Sequence, residues 1–453
     1  MVNNDTSFQS TPLAHSCAKD RELVPNRIVA KFGGSSVADA ESIKRVAARI
    51  AQAQRSGKQV VIVISAMGDT TDDLMDLALQ VSPQPRPREL DMLLTTGERQ
   101  SAALLAMALN DLGVEALSYT GSQAGVITTN THGDARILDI TPRRVAESLE
   151  EGMVVIVAGF QGVSYDTKDV TTLGRGASDT TAVALASALG AEVCEIYTDV
   201  DGVFTADPRI AKGARKIDEI TYEEMLEMAA NGAKVLHLRC VEYARRENVA
   251  IHVRSSFTDK PGTIVRGSIE DGDLTAAEEQ RMEQVLISGI AHDRSQSKIT
   301  VQGVPDQIGK AARIFSLIAK NNINIDMIVQ NISEVSTGAT DITFTLPSED
   351  TERAMSALKD AQEEIGFSGL LFDEQVGKIS VIGVGMRSNP GVTAKFFEAL
   401  ADNEINIQMI STSEIRISVV VDIDQLNDAV RVAHSAFDLD ADTEAIVYAG
   451  TGR

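Results

Sequence analysis

The sequence predicts an α/β domain built on a largely parallel sheet flanked by helices, followed by two copies of a smaller βαββαβ unit. Three observations carry this. Apolar, mostly β-branched runs of strand length recur at Ile28 to Phe32, Val60 to Ile64, Val154 to Phe160, Val193 to Tyr197 and Ala250 to Val253. Continuous rather than alternating runs mark strands buried on both faces. Helical patterns lie between them, and alternation of strand and helix gives a parallel sheet. Finally, the C-terminal third repeats itself: Lys298-Ile-Thr-Val-Gln-Gly-Val304 matches Lys378-Ile-Ser-Val-Ile-Gly-Val384, and Asn322-Ile-Asn-Ile325 matches Glu404-Ile-Asn-Ile407.

Taken in order, residues 1–26 are polar, lack a hydrophobic signal-peptide core and read as a disordered extension or as the product of a start site placed too early. The first strand ends in Lys31-Phe32-Gly33-Gly34-Ser35-Ser36-Val37. Glycines let backbone N–H groups approach an anion and Lys31 adds a positive charge, so the turn outlines a phosphate cradle. A tight strand-to-helix connection is the plainer alternative, and the ending of a Walker A loop is missing. Ile43, Val46, Ala47 and Ile50 then fall at i, i+3, i+4 and i+7 of a helix that Asp39 can cap. A second helix is expected from Ser178 to Gly190, with Ala182, Val183, Leu185, Ala186 and Leu189 on its apolar face. Glu, Asp, Gly and Gln dominate the linker at 267–283, which separates the α/β domain from the repeats.

Composition restricts the chemistry. A formal net charge of -23 over 453 residues argues against nonspecific binding to nucleic acid or an anionic membrane. An anionic substrate therefore needs a local basic site. Cys17, Cys194 and Cys240 are scattered without a CxxC pair, which points to a reducing cytoplasm and to neither a disulfide framework nor a zinc site. Apolar runs such as Met153 to Ala158 are too short to span a bilayer. The six histidines show no metal or triad grouping and read as structural or surface residues.

Polar signals gather at the expected strand ends, where open α/β sheets bind ligands. Ser65-Ala-Met-Gly68-Asp-Thr-Thr71 follows the second run. In Thr95-Thr96-Gly97-Glu98-Arg99, ahead of an Ala- and Leu-rich helix, Glu98 suits a substrate ammonium group, with a capping carboxylate at the helix start as the plainer reading. Thr171 to Asp179 offers the Arg175 guanidinium for a carboxylate, between Gly174 and Gly176, and Asp179 near a helix N-terminus. Tyr197-Thr198-Asp199-Val-Asp201-Gly202 puts two carboxylates at a strand end, suited to ribose hydroxyls or to a side-chain-supported turn. Lys234, on its own, reads as a surface charge. Two lysines for phosphates, an arginine and a glutamate for a zwitterion, and aspartates for nucleotide or metal are what phosphoryl transfer to a small amino acid requires. A carboxylate acceptor needs no general base, because an unperturbed pKa of about 4 leaves it ionised at neutral pH.

In this order the motifs resemble the aspartate kinases of the amino acid kinase superfamily, from Ile28 to the C-terminus. The resemblance implies an amino acid kinase-like catalytic domain over 27–266 and two ferredoxin-like ACT units, the first over 298–375, the second over 284–297 and 376–453. It implies transfer of the γ-phosphoryl group of ATP, with Mg²⁺, to the β-carboxylate of L-aspartate, the first step toward lysine, threonine and methionine. On this carry-over Lys31 stabilises the transferring group, and Gly33, Gly34 and Ser35 form the cradle. Glu98 holds the substrate amino group, Arg175 a substrate carboxylate, and Ser65 and Thr71 line the same pocket. Asp179 orients active-site groups, and Thr198, Asp199, Asp201 and Lys234 contact the nucleotide. The ACT units imply feedback by lysine, threonine or both, with Asp326, Gln330, Asn331, Asn406 and Ile407 as effector contacts, and self-association through these units. Met282 sits near where a separate small ACT-only subunit would start. Two positions depart from the family pattern: Ser35 replaces Thr and keeps the hydroxyl, and Ala177 replaces Gly, which matters only if that position needs positive φ. A catalytically silent amino acid sensor and another amino acid kinase are the competing readings.

Overall fold

Eight strands form the main sheet of the N-terminal α/β domain. The computed structural model describes residues 22–174, 176–267, 286–331, 338–384, 386, 389, 391–441 and 443–449. In chain order the domain comprises β1 (Arg27–Phe32), α1 (Ala40–Arg55), β2 (Gln59–Ile64), α2 (Thr70–Val81), α3 (Pro87–Asp111), β3 (Ala116–Tyr119), β4 (Val126–Thr128) and β5 (Ile137–Ile140). There follow α4 (Arg143–Glu150), β6 (Val154–Ala158), β7 (Gln161–Ser164), β8 (Val170–Thr172), α5 (Ser178–Ala188), β9 (Val193–Thr198), β10 (Glu219–Thr221), α6 (Tyr222–Ala230), α7 (Leu238–Glu247), β11 (Ile251–Ser255) and β12 (Thr263–Arg266). The sheet order is β10-β12-β11-β9-β1-β2-β6-β3, parallel except where β12 meets β11, and β5-β4-β7-β8 form a side sheet.

The continuous apolar runs are explained by burial on both faces. Val29, Val61, Val63, Val155 and Val157 pack toward α5. Their neighbours Ala30, Ile62, Ile64 and Ile156 pack toward α1 and α3 on the opposite side, as the two-residue period of a strand requires. Each such side chain contributes about 1.5–3 kcal/mol. Asp39 caps α1, accepting from the Ser42 N–H at 2.8 Å. The run expected to extend to Phe160 stops at Ala158 because Phe160 turns into the left-handed region at φ 66°. Of the segment read as a disordered extension, residues 1–21 lie outside the described residues. Residues 22–26 lie against the domain instead: the Val24 N–H donates to the Gly190 carbonyl at 2.9 Å.

Most of the linker, with Met282, also lies outside the described residues. The repeat region comprises β13 (Leu286–Asp293), β14 (Gln296–Pro305), β15 (Ile328–Gln330), β16 (Ala339–Pro347), β17 (Gly369–Asp373), β18 (Val376–Val384), β19 (Met409–Thr412) and β20 (Arg416–Asp422). The first repeat is the sheet β15-β16-β14-β17 with helices Lys310–Lys320 and Thr351–Asp360; the second is β13-β18-β20-β19 with helices Gly391–Ala401 and Leu426–Ala436. Each has its own core, around Phe344 in the first and Phe396 in the second. The two differ in one respect. The edge beside β14 is filled by β17, the repeat's own last strand, whereas the corresponding edge beside β18 is filled by β13, which precedes both repeats. The chain leaving helix Leu426–Ala436 is thereby free to run elsewhere. No helix among the described residues is long and apolar enough to cross a membrane.

Candidate active site

The carboxyl ends of β1, β2 and β9 open onto a cavity of about 650 Å³ lined by Lys31, Gly33, Ser35, Ser65, Thr71, Glu98, Asp179, Thr198 and Lys234. Residues far apart in sequence converge because adjacent parallel strands all end on this side. Asp72, Phe160, Tyr197 and His237 join them. The sequence pattern assigned none of these four to the site. The strained backbone of Phe160 is a mark often found at functional sites.

The turn expected to form a phosphate cradle is built by close approach. After Lys31 the chain forms a 3-10 turn over Gly34–Val37. A Cβ on Gly34 would lie 2.8 Å from the Gly68 carbonyl oxygen and 3.0 Å from that of Ala66. Gly34 is therefore required for the first turn to nest against the Ser65–Gly68 loop, even though it does not itself line the cavity. Lys31 Nζ sits 2.7 Å from Asp179 Oδ1, at the first turn of α5. The ion pair aims the ammonium group into the cavity and leaves Asp179, which is 6% exposed, compensated.

Glu98 corrects the capping alternative. Helix α3 starts eleven residues earlier, with Pro87 in its first turn, so Glu98 is interior to the helix and caps nothing. Gly97 lets the helix press on the Ser65–Gly68 loop, since a Cβ there would lie 2.8 Å from the Ala66 Cβ. The Glu98 carboxylate is 3% exposed. Its Oε1 accepts from the Ala66 N–H at 3.3 Å, while its Oε2 is buried without a protein partner. Loss of hydration pushes its pKa up to about 7, against which the backbone hydrogen bonds work. A buried carboxylate with one unmet acceptor, facing a cavity, suits an incoming ammonium group.

Arg175 lies outside the described residues, but its neighbours define the loop. Gly174 and Gly176 both have positive φ, at 88° and 74°, and a Cβ on Gly176 would meet the His237 ring at 2.8 Å. Arg239 donates to the Leu173 carbonyl at 2.8 Å and to Ala135 at 3.1 Å, fixing the loop from the other side. Ala177 has φ -78°, so its methyl group is accommodated without strain. Burial holds the His237 imidazole below its usual pKa, an effect that the charge of Asp179 partly offsets.

Thr198 lines the cavity, whereas Asp199 and Asp201 turn to protein partners. Asp199 accepts from Arg209 at 3.2 Å and from Thr198 Oγ1 at 3.0 Å. Asp201 accepts from Thr258, Lys260 and Tyr448. Lys234 is brought to the cavity by the connection from α6 to α7, which is pinned on the second repeat. Asn231, fully buried, accepts from Ser380 Oγ at 2.9 Å, and a Cβ on Gly232 (φ 105°) would lie 1.9 Å from the His292 carbonyl oxygen. We predict that Gly232→Ala displaces Lys234 from the cavity wall and weakens binding of a phosphate-bearing ligand there about tenfold, a change of about 1.4 kcal/mol. Titration of the purified variant with such a ligand checks this, and unchanged binding would show that the contact is not limiting.

The expected effector residues are spread over the junction of the repeats. Asp326 pairs with Lys378, a lysine 1% exposed in the second repeat. Met327 packs with Val376, Met409 and Val420 across the same junction. Gln330 and Asn331 are exposed at the end of β15, Asn406 is exposed, and Ile407 is half-buried against the second core.

The amino acid kinase family model matches residues 26–255, and the ACT domain model matches 299–362 and 379–437. A parallel sheet with a lysine-bearing cavity at its strand ends, followed by paired ACT units, thus defines a phosphotransferase of the amino acid kinase class. An aspartokinase of Mycolicibacterium smegmatis is 63% identical over 426 residues, covering 94% of this chain and 99% of that protein. E. coli aspartokinase III in complex with aspartate and ADP (R-state) is similar at TM-score 0.74 and 26% identity, covering 92% of this chain and 99% of that one. The same enzyme with lysine and aspartate (T-state) is similar at TM-score 0.67 and 26% identity, over 91% and 99%. The chain belongs to the aspartokinase family.

Proposed function

We propose that this enzyme transfers the γ-phosphoryl group of ATP to the β-carboxylate of L-aspartate, giving 4-phospho-L-aspartate and ADP. The observation that carries the reading is the convergence of the Lys31–Asp179 ion pair with the half-satisfied, buried carboxylate of Glu98 on one cavity. Glu98 takes the substrate ammonium group and Arg175 the α-carboxylate, which presents the β-carboxylate to the Gly33–Ser35 turn. The acceptor is already ionised, so catalysis rests on positioning and on neutralising charge at the transferring group, the role of Lys31. Asp179 orients Lys31; Thr198 and Lys234 receive the nucleotide, and Asp199 and Asp201 act there through the backbone they brace.

Mg²⁺ enters with the nucleotide. Its ligands would be mainly phosphate oxygens, with Asp179, which lines the cavity, as the carboxylate that would add to its shell. The ion supplies neutralisation of phosphate charge. The catalytic unit is 27–266, and the ACT units, 298–375 and 284–297 with 376–453, bind lysine, threonine or both as feedback effectors and mediate self-association, with a small ACT-only subunit starting near Met282 as a further form. The enzyme works in the cytoplasm, in keeping with Cys194 and Cys240 lying buried in the apolar core without a disulfide between them.

Incubation with Mg-ATP and a panel of amino acids, trapping acyl phosphate with hydroxylamine, tests the reading. Hydroxamate is expected with aspartate alone and is suppressed by lysine, threonine or the pair. Activity without suppression removes the feedback proposal, and folded protein that binds these effectors but makes no product supports the silent-sensor alternative.

A further inference from the structure

The second repeat borrows its edge strand from β13, and the chain beyond helix Leu426–Ala436 runs back over the catalytic domain. The Ala441 N–H donates to the Gly213 carbonyl at 2.7 Å, that of Ala445 to Lys212 at 2.9 Å and that of Tyr448 to Asp199 at 2.9 Å. Val447 forms an antiparallel bridge with Val200. A segment leaving the regulatory module thus lies as a short strand along Asp199–Asp201, directly after the Thr198 that lines the cavity.

Tyr448 closes this contact. Its hydroxyl donates to Asp201 Oδ2 at 2.9 Å and accepts from Lys260 Nζ at 3.2 Å, while Lys260 also reaches Asp201 Oδ2 at 3.1 Å. Thr258 Oγ1 donates to Asp201 Oδ1 at 2.7 Å, and the Tyr448 ring stacks on Phe257 with centroids 6.0 Å apart. Asp201, 6% exposed, therefore has both oxygens engaged by protein donors. The loop so tied continues into the cavity wall. Ser256 donates its N–H to the Thr198 carbonyl at 3.0 Å and accepts from Ser36, in the phosphate turn, at 2.8 Å.

We propose that Tyr448 is a positioning residue for nucleotide binding: through Asp201 and Lys260 its hydroxyl fixes the 256–260 loop, and through Ser256 that loop sets the spacing between the phosphate turn and Thr198. Tyr448 does not line the cavity and acts through the residues it holds. The proposal rests on the reading that ATP occupies the Thr198 and Lys234 end of the cavity.

The test uses the full-length chain and steady-state kinetics with each substrate varied in turn. Tyr448→Phe keeps the stacked ring and removes the hydroxyl. Its expected effect is a rise of about tenfold in the KM for ATP, the scale of one hydrogen bond to a charged group, with the KM for aspartate and kcat changed less than about twofold. Lys260→Met is expected to act in the same direction, and the double variant to add little, because the two act on one carboxylate. Thr198→Val and Lys234→Ala serve as reporters of the nucleotide end. If they raise the KM for ATP and Tyr448→Phe and Lys260→Met do not, the positioning role is wrong; if none of the four does, the nucleotide placement fails with it. Equal rises in both KM values for Tyr448→Phe, with a lowered melting temperature, would identify a merely structural role and overturn the proposal.

Discussion

Glu98→Gln is expected to raise the KM for aspartate about 30-fold or more, the consequence of losing 2 kcal/mol or more from a buried charge pair, and at the same time to stabilise the fold above neutral pH. Both effects come from one feature. Glu98 is 3% exposed, and this burial pushes its pKa up from 4.5 to about 7. A carboxyl group whose pKa is higher in the folded chain binds its proton more tightly there than in the unfolded chain. Its contribution to stability is fully present below about pH 4.5 and is lost as pH rises through about 7. At pH 8.5 the ionised group therefore costs about 3 kcal/mol, the free-energy equivalent of the shift. Glutamine removes that cost, less what its own amide forfeits, so a net gain of about 1–3 kcal/mol is expected at pH 8.5 and little gain at pH 5. Urea unfolding at the two pH values measures it. The unmodified enzyme should show the kinetic counterpart: its KM for aspartate rises as pH falls below about 7, because the protonated carboxyl no longer pairs with an ammonium group. A variant with normal KM for aspartate would remove Glu98 from the substrate site, whatever its stability.

The difference between Lys31 and Glu98 shows what a sequence discloses. Lys31, Gly33 and Gly34 were legible because their chemistry is local: a strand carries a cation near its end and two glycines turn the same backbone just after it. The parallel sheet was legible for a similar reason, since burial on both faces writes itself into continuous runs such as Val60 to Ile64. Glu98 was harder. Its surroundings come from Ala66 and from Gly97 pressing a 25-residue helix onto another loop, and no periodicity encodes that contact. Lys234 and His237 follow Asn231 and Gly232, which pack on β18 and β13, strands that come dozens of residues later. Asp201 is the extreme case. Its partner Tyr448 is 247 positions away, so the Asp-Val-Asp-Gly segment read equally well as a ribose site or a supported turn, and the structure engages its side chain with protein donors.

Lys31→Met should separate catalysis from stability in the opposite sense. Lys31 is 15% and Asp179 9% exposed in their side chains, with 2.7 Å between the charged atoms. Removing the ammonium group takes away a preorganised charge from the transferring phosphoryl group, and kcat should fall about 10²–10³-fold, as for loss of one transition-state donor. It also leaves Asp179 buried without its cation, which should cost about 3 kcal/mol of folding stability. The double variant Lys31→Met with Asp179→Asn distinguishes the two losses. With no buried charge left, most of the stability returns, because replacing a whole buried pair by neutral groups is close to neutral in free energy. Activity does not return, since neither neutral side chain can offset charge in the transition state. Urea unfolding and hydroxamate formation at saturating aspartate and ATP measure the two quantities on the same samples. A single variant retaining kcat within about tenfold of the unmodified enzyme, less than about 1.4 kcal/mol of barrier, would assign Lys31 to the structural pair alone and move the burden of charge neutralisation to Lys234.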